Sequence, residues 1–358
     1  MLKVGKKMKK ILLVLLCLFI ITGCKNNNVV ENKENENNNE EVKQEEVVEE
    51  KKVQIIDLDS KTRPVAVMIN NIKVAQPYQT GLNDAYIVYE LIVEGGITRM
   101  MALFKDKDTS QIGTIRSSRH NYLDYVLEND AIYVHFGGSD KALAEIPSFG
   151  INNLNGMAHN FYWRDKSLPV SSEHTVYSSM ERINKEIAKR GYRTTTDTTS
   201  LLKYSANEID LSKMEGATKA DKVKIVYSNV QTNEFVYDED TKLYTRKSNG
   251  TVRKDYITKE AFTTKNIITY QVENYTMDSY GRQDLKNVGS GEGYYISSGY
   301  AVKITWQKDS RSGKTTYKYL DGTELVVNDG NTYIQIQPKG KNLSITANEV
   351  KNEGSTNE

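Results

Sequence analysis

Cysteine is nearly missing from this sequence, with two in 358 residues. Two thiols cannot build the disulfide framework that staples small secreted domains, so the folded part must be held by a buried core. The length allows about two such domains. An excess of one charge sign is also lacking: 27% of residues are charged, yet the formal net charge is +1. Nucleic-acid binders normally carry a strong basic excess or stripe, so that partner class is set aside. No apolar run is long enough to cross a bilayer core of about 30 Å as a helix; the run Ile11–Ile21 falls short. Chemical signatures are sparse as well. The four histidines show no H-E-x-x-H spacing and no G-x-S-x-G elbow occurs, while Ser200-Leu201-Leu202-Lys203 fits S-x-x-K without a K-T-G partner.

What is present begins at the N-terminus. Lys3, Lys6, Lys7, Lys9 and Lys10 precede the apolar run, which ends in Ile21-Thr22-Gly23-Cys24. Basic region, short apolar core and small residues in that order read as an export signal over 1–23. The terminal string resembles a bacterial lipobox, in which the Cys24 thiol takes a diacylglyceryl group. The expected product is held to the membrane through lipidated Cys24, on the extracytoplasmic face, since acyl chains anchor with about 0.8 kcal/mol per buried methylene. Loss of the five lysines takes the formal charge from +1 to −4, and Cys17 leaves with them. The lipidated Cys24 is then the remaining cysteine, which excludes cysteine catalysis and cysteine-ligated metal.

The remainder divides by texture. Residues 24–60 are rich in Asn, Glu and Lys and hold too little apolar surface to offset chain entropy, so they are expected to form a disordered tether. Residues 61–203 alternate apolar strands with helical patterns, the texture of an α/β domain with a mixed sheet. Residues 204–221 read as a connection, 222–348 as a smaller β-rich domain (all-β or α+β), and 349–358 as a polar tail. Pro64–Ile69 is a continuous apolar run, as in a strand buried on both faces. Tyr86–Tyr89 and Thr98–Phe104 are expected to form a hairpin around Glu94-Gly95-Gly96. Ile112–Ile115 and Ala131–Val134 are further strands.

Helices are expected over His120–Leu127, ending at Asn129, and over Asp140–Ile146 with Ser139 as N-cap. A third is expected to carry the stripe Val176, Met180, Ile183, Ile187, with Gly191 as its left-handed C′ residue. In the second half, Asp321-Gly322 and Asn328–Asn331 read as hairpin turns, and Gly289–Gly293 as a flexible loop.

Five strings carry a family resemblance: Arg63–Asn71, Asp84–Glu90, Glu94–Arg99, Gly113–Arg119 and Asp130–Gly138. In them the chain resembles the YerB-like lipoproteins of Firmicutes, and the Tyr- and Gly-rich second half, with Trp306 and Thr332-Tyr333-Ile334, is similar to that family's C-terminal domain. The resemblance implies an anchored, two-domain envelope protein. The family is one of unknown function, so it supplies no site residues, and these are argued from chemistry.

Arg116-Ser117-Ser118-Arg119 follows an expected strand and opens an expected helix, so free N–H groups, the Ser117 hydroxyl and two guanidinium groups could converge on one anion. His135-Phe136-Gly137-Gly138-Ser139 sits at a second such junction. If the two strands are parallel neighbours, both junctions share the carboxyl edge of the sheet, where open α/β proteins bind ligands. Glu90 and Glu94, four apart, are expected on one face with Arg99 nearby, as acid/base groups or as ion-pair partners of the arginines. His135 and His174 are candidate bases or ligands, and His174 could equally cap the following helix.

Two functional classes stay open. One is a binding or accessory module for an anionic envelope ligand or protein, phosphate- or carboxylate-bearing. The other is an envelope phosphotransferase or hydrolase, faintly similar to the LytR-CpsA-Psr enzymes, in which Arg99, Arg116 and Arg119 neutralise a diphosphate. Only the second would require a divalent cation. The Ser-Ile-Pro-Arg-Asp-Thr type signature of those enzymes is absent, the nearest string being Thr114–Ser118.

Overall fold

A computed structural model describes residues 51–348. The signal sequence, Cys24, the tether up to residue 50 and the tail 349–358 lie outside the described residues. Among those described, no helix is long and apolar enough to cross a membrane.

The apolar runs become a mixed sheet of eleven strands. Its first half comprises β1 (Val65–Asn70), β2 (Ile87–Ile92), β3 (Thr98–Phe104), β4 (Ile132–His135) and β5 (Asn153–Asn155). The β2–β3 hairpin forms as expected, with Ile87 opposite Leu103 and a single helical turn at Glu94–Gly96. β1 lies antiparallel to β3 on one side and parallel to β4 on the other. All six residues of β1 are buried, which is why its run carries no polar alternation.

The second half adds β6 (Asn266–Val272), β7 (Gly289–Ser297), β8 (Tyr300–Lys308) and β9 (Thr332–Pro338). β9 runs between β2 and β6, parallel to both, with Tyr333 opposite Val88 and Ile267. One ladder of backbone hydrogen bonds therefore joins the N-terminal α/β part to the β-rich C-terminal part.

Neighbouring strand residues point to opposite faces, and the two faces of the sheet are covered differently. On the Tyr89 face lie α1 (His120–Glu128) and α2 (Asp140–Ser148), with the Tyr89 hydroxyl donating to Glu128 at 2.7 Å. On the Glu90 face lies a six-stranded antiparallel sheet that includes Lys222–Val226, Thr232–Asp238 and Leu243–Ser248. Its burial alternates along each strand, as in a sheet with one wet side.

Local signals placed the helices well. α1 ends at Asn129, and Ser139 caps α2 by accepting from the Ala142 amide. α3 (Met180–Lys189) closes with Gly191 at φ 63°, while the amides of Gly191 and Tyr192 bond back to Ala188 and Ile187. Val176, expected on the α3 stripe, lies instead in the strand Val176–Ser178; Ser179 separates the two by accepting from the Arg182 amide. Nor does His174 cap α3, because Ser179 holds that position.

Other expectations are corrected by long-range packing. Residues 53–60, expected in the tether, dock on the body: the Gln54 and Ile55 amides donate to Asp329, and Ile56 is buried. The span 204–221 is more than a connection, since it buries Tyr204, Leu211 and Ala220. Gly289–Gly293 is no loop; it forms the first half of β7, opposite Trp306 and its neighbours. A Cβ at Gly293 would come within 2.5 Å of the Thr269 carbonyl oxygen, so close strand approach, not flexibility, accounts for that glycine. The Asp321-Gly322 turn is present, but the strand after it, Val326–Asn328, pairs parallel with Lys203–Ser205.

Candidate functional site: an arginine cluster at the β1–β4 edge

The two junctions meet. The Ser118 amide donates to Gly137 O at 2.9 Å, Phe136 N to Arg116 O at 3.0 Å and Ser139 N to Ser118 O at 3.2 Å. Parallel pairing supplies this contact, though not between the strands expected: Ile112–Gly113 pairs with Val176–Ser178, while β4 pairs with β1. The backbone here forms the carboxyl edge of β1 and β4, where Asn70 and His135 end their strands.

At this edge Arg99, the second residue of β3, is 4% exposed. Its Nη1 donates to Ser117 O at 2.7 Å and its Nη2 to Glu94 Oε1 at 3.3 Å. Arg119 clamps the same carboxylate, with Nε 2.8 Å from Oε2 and Nη2 on Oε1, while its Nη1 donates to Ser118 O. Burial works against the Glu94 charge, but the Arg119 hydrogen bond and both guanidinium charges outweigh it and hold the carboxyl down at about 2. Burial, with repulsion from Arg119, pulls Arg99 down to about 9 despite Glu94; Arg116 adds to the repulsion. Both partners thus stay charged near neutral pH. The Arg99 Nε is buried and finds no hydrogen-bond partner among the described residues.

Arg116 faces outward and donates from Nη2 to Glu173 Oε2 at 2.6 Å; Glu173 is 54% exposed. Beside it His174 Nδ1 lies 2.9 Å from the Asn70 amide nitrogen, which must donate, so the ring proton belongs on Nε2, 3.5 Å from Glu173 Oε1. Burial lowers the His174 pKa, against the pull of Glu173. Ser117 is half-buried next to Gly137. Three guanidinium groups therefore meet two carboxylates.

Two expected members do not join this group. His135 has no exposed surface, its Nδ1 is 2.7 Å from Gly137 O and its Nε2 3.1 Å from Asn153, and its ring stacks on Tyr133. Burial lowers its pKa; it braces the Gly137 turn and presents neither nitrogen to a ligand. Glu90 and Glu94 do not share a face. Thr98 donates to Glu90 while its neighbour Arg99 takes Glu94, and adjacent strand residues point apart. Glu90 is buried with Arg246, Asn71 and Gln335. Sequence reasoning missed Asn70, Glu173 and Arg246. Glu173 could have been found beside His174, whereas nothing local announces that Arg246 is buried.

The largest cavity described, about 590 Å³, lies elsewhere and is lined by none of these residues. At the arginine cluster the chain's own carboxylates fill the space between the guanidinium groups.

Comparison with known proteins fits this architecture. The family described as "Protein of unknown function (DUF3048) N-terminal domain" matches residues 53–193, and its C-terminal domain matches 223–334. The chain is 31% identical over 296 residues to the Bacillus subtilis (strain 168) protein YerB, which is named as a lipoprotein; the match covers 81% of this chain and 86% of that one. The crystal structure of YerB superposes with a TM-score of 0.69 at 28% identity, covering 79% of this chain and 94% of that one. With both halves of the family matched in order and the fold shared, the chain belongs to the DUF3048 family, the YerB-like lipoproteins.

Proposed function

We propose that the protein is a lipid-anchored, extracytoplasmic binding module of the cell envelope. It recognises a phosphate- or carboxylate-bearing group of an envelope ligand or protein at Arg116 and Ser117, with Arg119 and Arg99 held behind them on Glu94 and adding positive charge. The observation that supports this reading is the convergence of three guanidinium groups at one strand edge, where internal carboxylates occupy the positions an anion would take. Glu173, exposed and on a short turn, is the carboxylate that yields: an arriving oxyanion replaces it on Arg116, exchanging one charge-assisted hydrogen bond for another. Glu94, clamped by two arginines, stays and keeps the fork of Arg119 in place.

Titration calorimetry with inorganic pyrophosphate tests the reading. Binding should be saturable, weaken by about tenfold in Arg116→Ala, and tighten in Glu173→Gln, which removes the internal competitor. Equal affinity in all three proteins, or no binding to any, would refute it.

A further inference from the structure

The 590 Å³ cavity opens between segment 196–204 and the strand–turn–strand at 314–326, where the α/β part and the β-rich part adjoin. We propose that this cleft binds an amphiphilic anion: a carboxylate or phosphate monoester carried on an apolar body.

Its volume suits such a molecule, since ligand pockets run to about 300–1,000 Å³. Its lining is divided in the way an amphiphile requires. One wall is cationic and rich in hydroxyl groups. Lys105, the residue after β3, is 9% exposed, and its ammonium donates to Ser60 O at 3.0 Å. The Lys314 ammonium donates to the carbonyl and the hydroxyl of Thr199, both at 2.8 Å. Neither lysine has a carboxylate partner among the described residues. A buried ammonium satisfied only by neutral oxygens is costly, which is the position of Lys105; Lys314 is partly exposed, and burial lowers its pKa against the pull of Glu128. Lys105, Thr199 and Ser200 line both the cleft and a small adjoining recess, and the buried Ser200 hydroxyl lacks a partner among the described residues. Apolar side chains complete the lining, with Leu202 and Leu325 buried and Leu201 packed against the core.

The competing charges are few. Lys203 is taken by Glu324 at the rim, Asp197 is exposed, and the buried Glu128 carboxylate, which attracts Lys314 from a distance, is already held by Lys308 and Thr315. An arriving anionic head would therefore meet two ammonium groups without a directly bonded carboxylate, and its apolar body would cover leucine surface at about 25 cal/mol per Å². The cleft is independent of the arginine cluster. Arg99 and Lys105 stand at opposite ends of β3, a strand of seven residues or roughly 20 Å.

The test uses residues 50–358, one compact unit without the lipid anchor, and dansyl-undecanoate as a fluorescent probe. Saturable enhancement is expected, reversed by palmitate or by lysophosphatidate but not by acetate, inorganic phosphate or dodecanol. The stronger competitor identifies whether a carboxylate or a phosphate head is preferred, and either supports the assignment. Lys314→Met, at a partly exposed position, should weaken the probe by about tenfold. Lys105→Met should do the same, and Leu201→Trp should fill the cleft and abolish enhancement, with circular dichroism melts confirming the fold. Failure of the probe to saturate, displacement by dodecanol as readily as by palmitate, or unchanged affinity in Lys314→Met overturns the proposal.

Discussion

Arg246 donates from Nη2 to Glu90 Oε2 across 3.1 Å, and neither side chain has any exposed surface. The pair joins β2 to the strand Leu243–Ser248 of the second sheet, with Asn233, Gln335 and Tyr227 around it. Arg246→Met should therefore leave a buried carboxylate without its charge partner and cost about 3–5 kcal/mol. Arg246 Nε and Nη1 have no partner among the described residues, so the pair is incompletely satisfied. Adding Glu90→Gln should then restore at least half of the loss. Urea denaturation of the single and double variants measures this, and a double variant no more stable than the single would contradict it.

Glu94 gives the fold an acid-sensitive element. Its carboxyl sits at about 2 in the folded chain against an ordinary 4.5. A carboxylate depressed by folding stabilises the folded state fully above its unfolded value, and that contribution fades as pH falls from about 4.5 through 2. Allowing for partial exposure, the amount is roughly 2 kcal/mol. Wild type should exceed Glu94→Gln in stability at pH 6 and lose most of that advantage by about pH 2.5. A difference independent of pH would show that the carboxylate acts through shape alone.

Gly293→Ala should destabilise by about 1–3 kcal/mol, because the new methyl group meets the Thr269 carbonyl oxygen on the paired strand. Gly322→Ala meets no atom within 4 Å but must hold φ at 87°, a conformational cost of about 1 kcal/mol. Thermal melts should rank Gly293→Ala as the more harmful. The reverse order would mean that β7 can shift away from β6 at little cost.

Cys24→Ser should release the protein from the membrane fraction and prevent labelling by radioactive palmitate, with the fold of residues 51–348 unchanged. On the proposed lipidation of Cys24, the single substitution removes the acyl chains that would hold the protein at the surface. Retention of the Cys24→Ser variant in the membrane fraction would point to another means of attachment.

Local chemistry was readable from the chain. Ser139 and Asn129 bound their helices through short-range hydrogen bonds, and the β2–β3 hairpin needed only two largely apolar runs and a Glu-Gly-Gly turn. The meeting of Arg116–Arg119 with the Gly137 turn was expected from two parallel neighbouring strands, but it arises otherwise: Ile112–Gly113 pairs antiparallel with Val176–Ser178, and a backbone bridge from Ser118 to Gly138 joins the two junctions. The partners of the charges were not readable. Glu90 and Glu94 have the same spacing on paper as a same-face pair, yet the turn after Val93 sends them to opposite faces.

The sequence by itself determined the helix ends and the apolar runs, and it raised the expectation of an export and lipidation signal and of an acidic tether, since each depends on residues within a few positions of one another. Tertiary structure decided what those runs paired with. β9 reaches back across some 245 residues to β2, as the contact from Gln335 to Glu90 records. No periodicity in either strand specifies that register, because strands buried on both faces carry no alternation to read. The same long-range pairing buries Arg246 and His135 and brings Lys105 and Lys314 to one cleft, for the burial of a charged side chain is a property of the assembled layers and not of its neighbours in sequence.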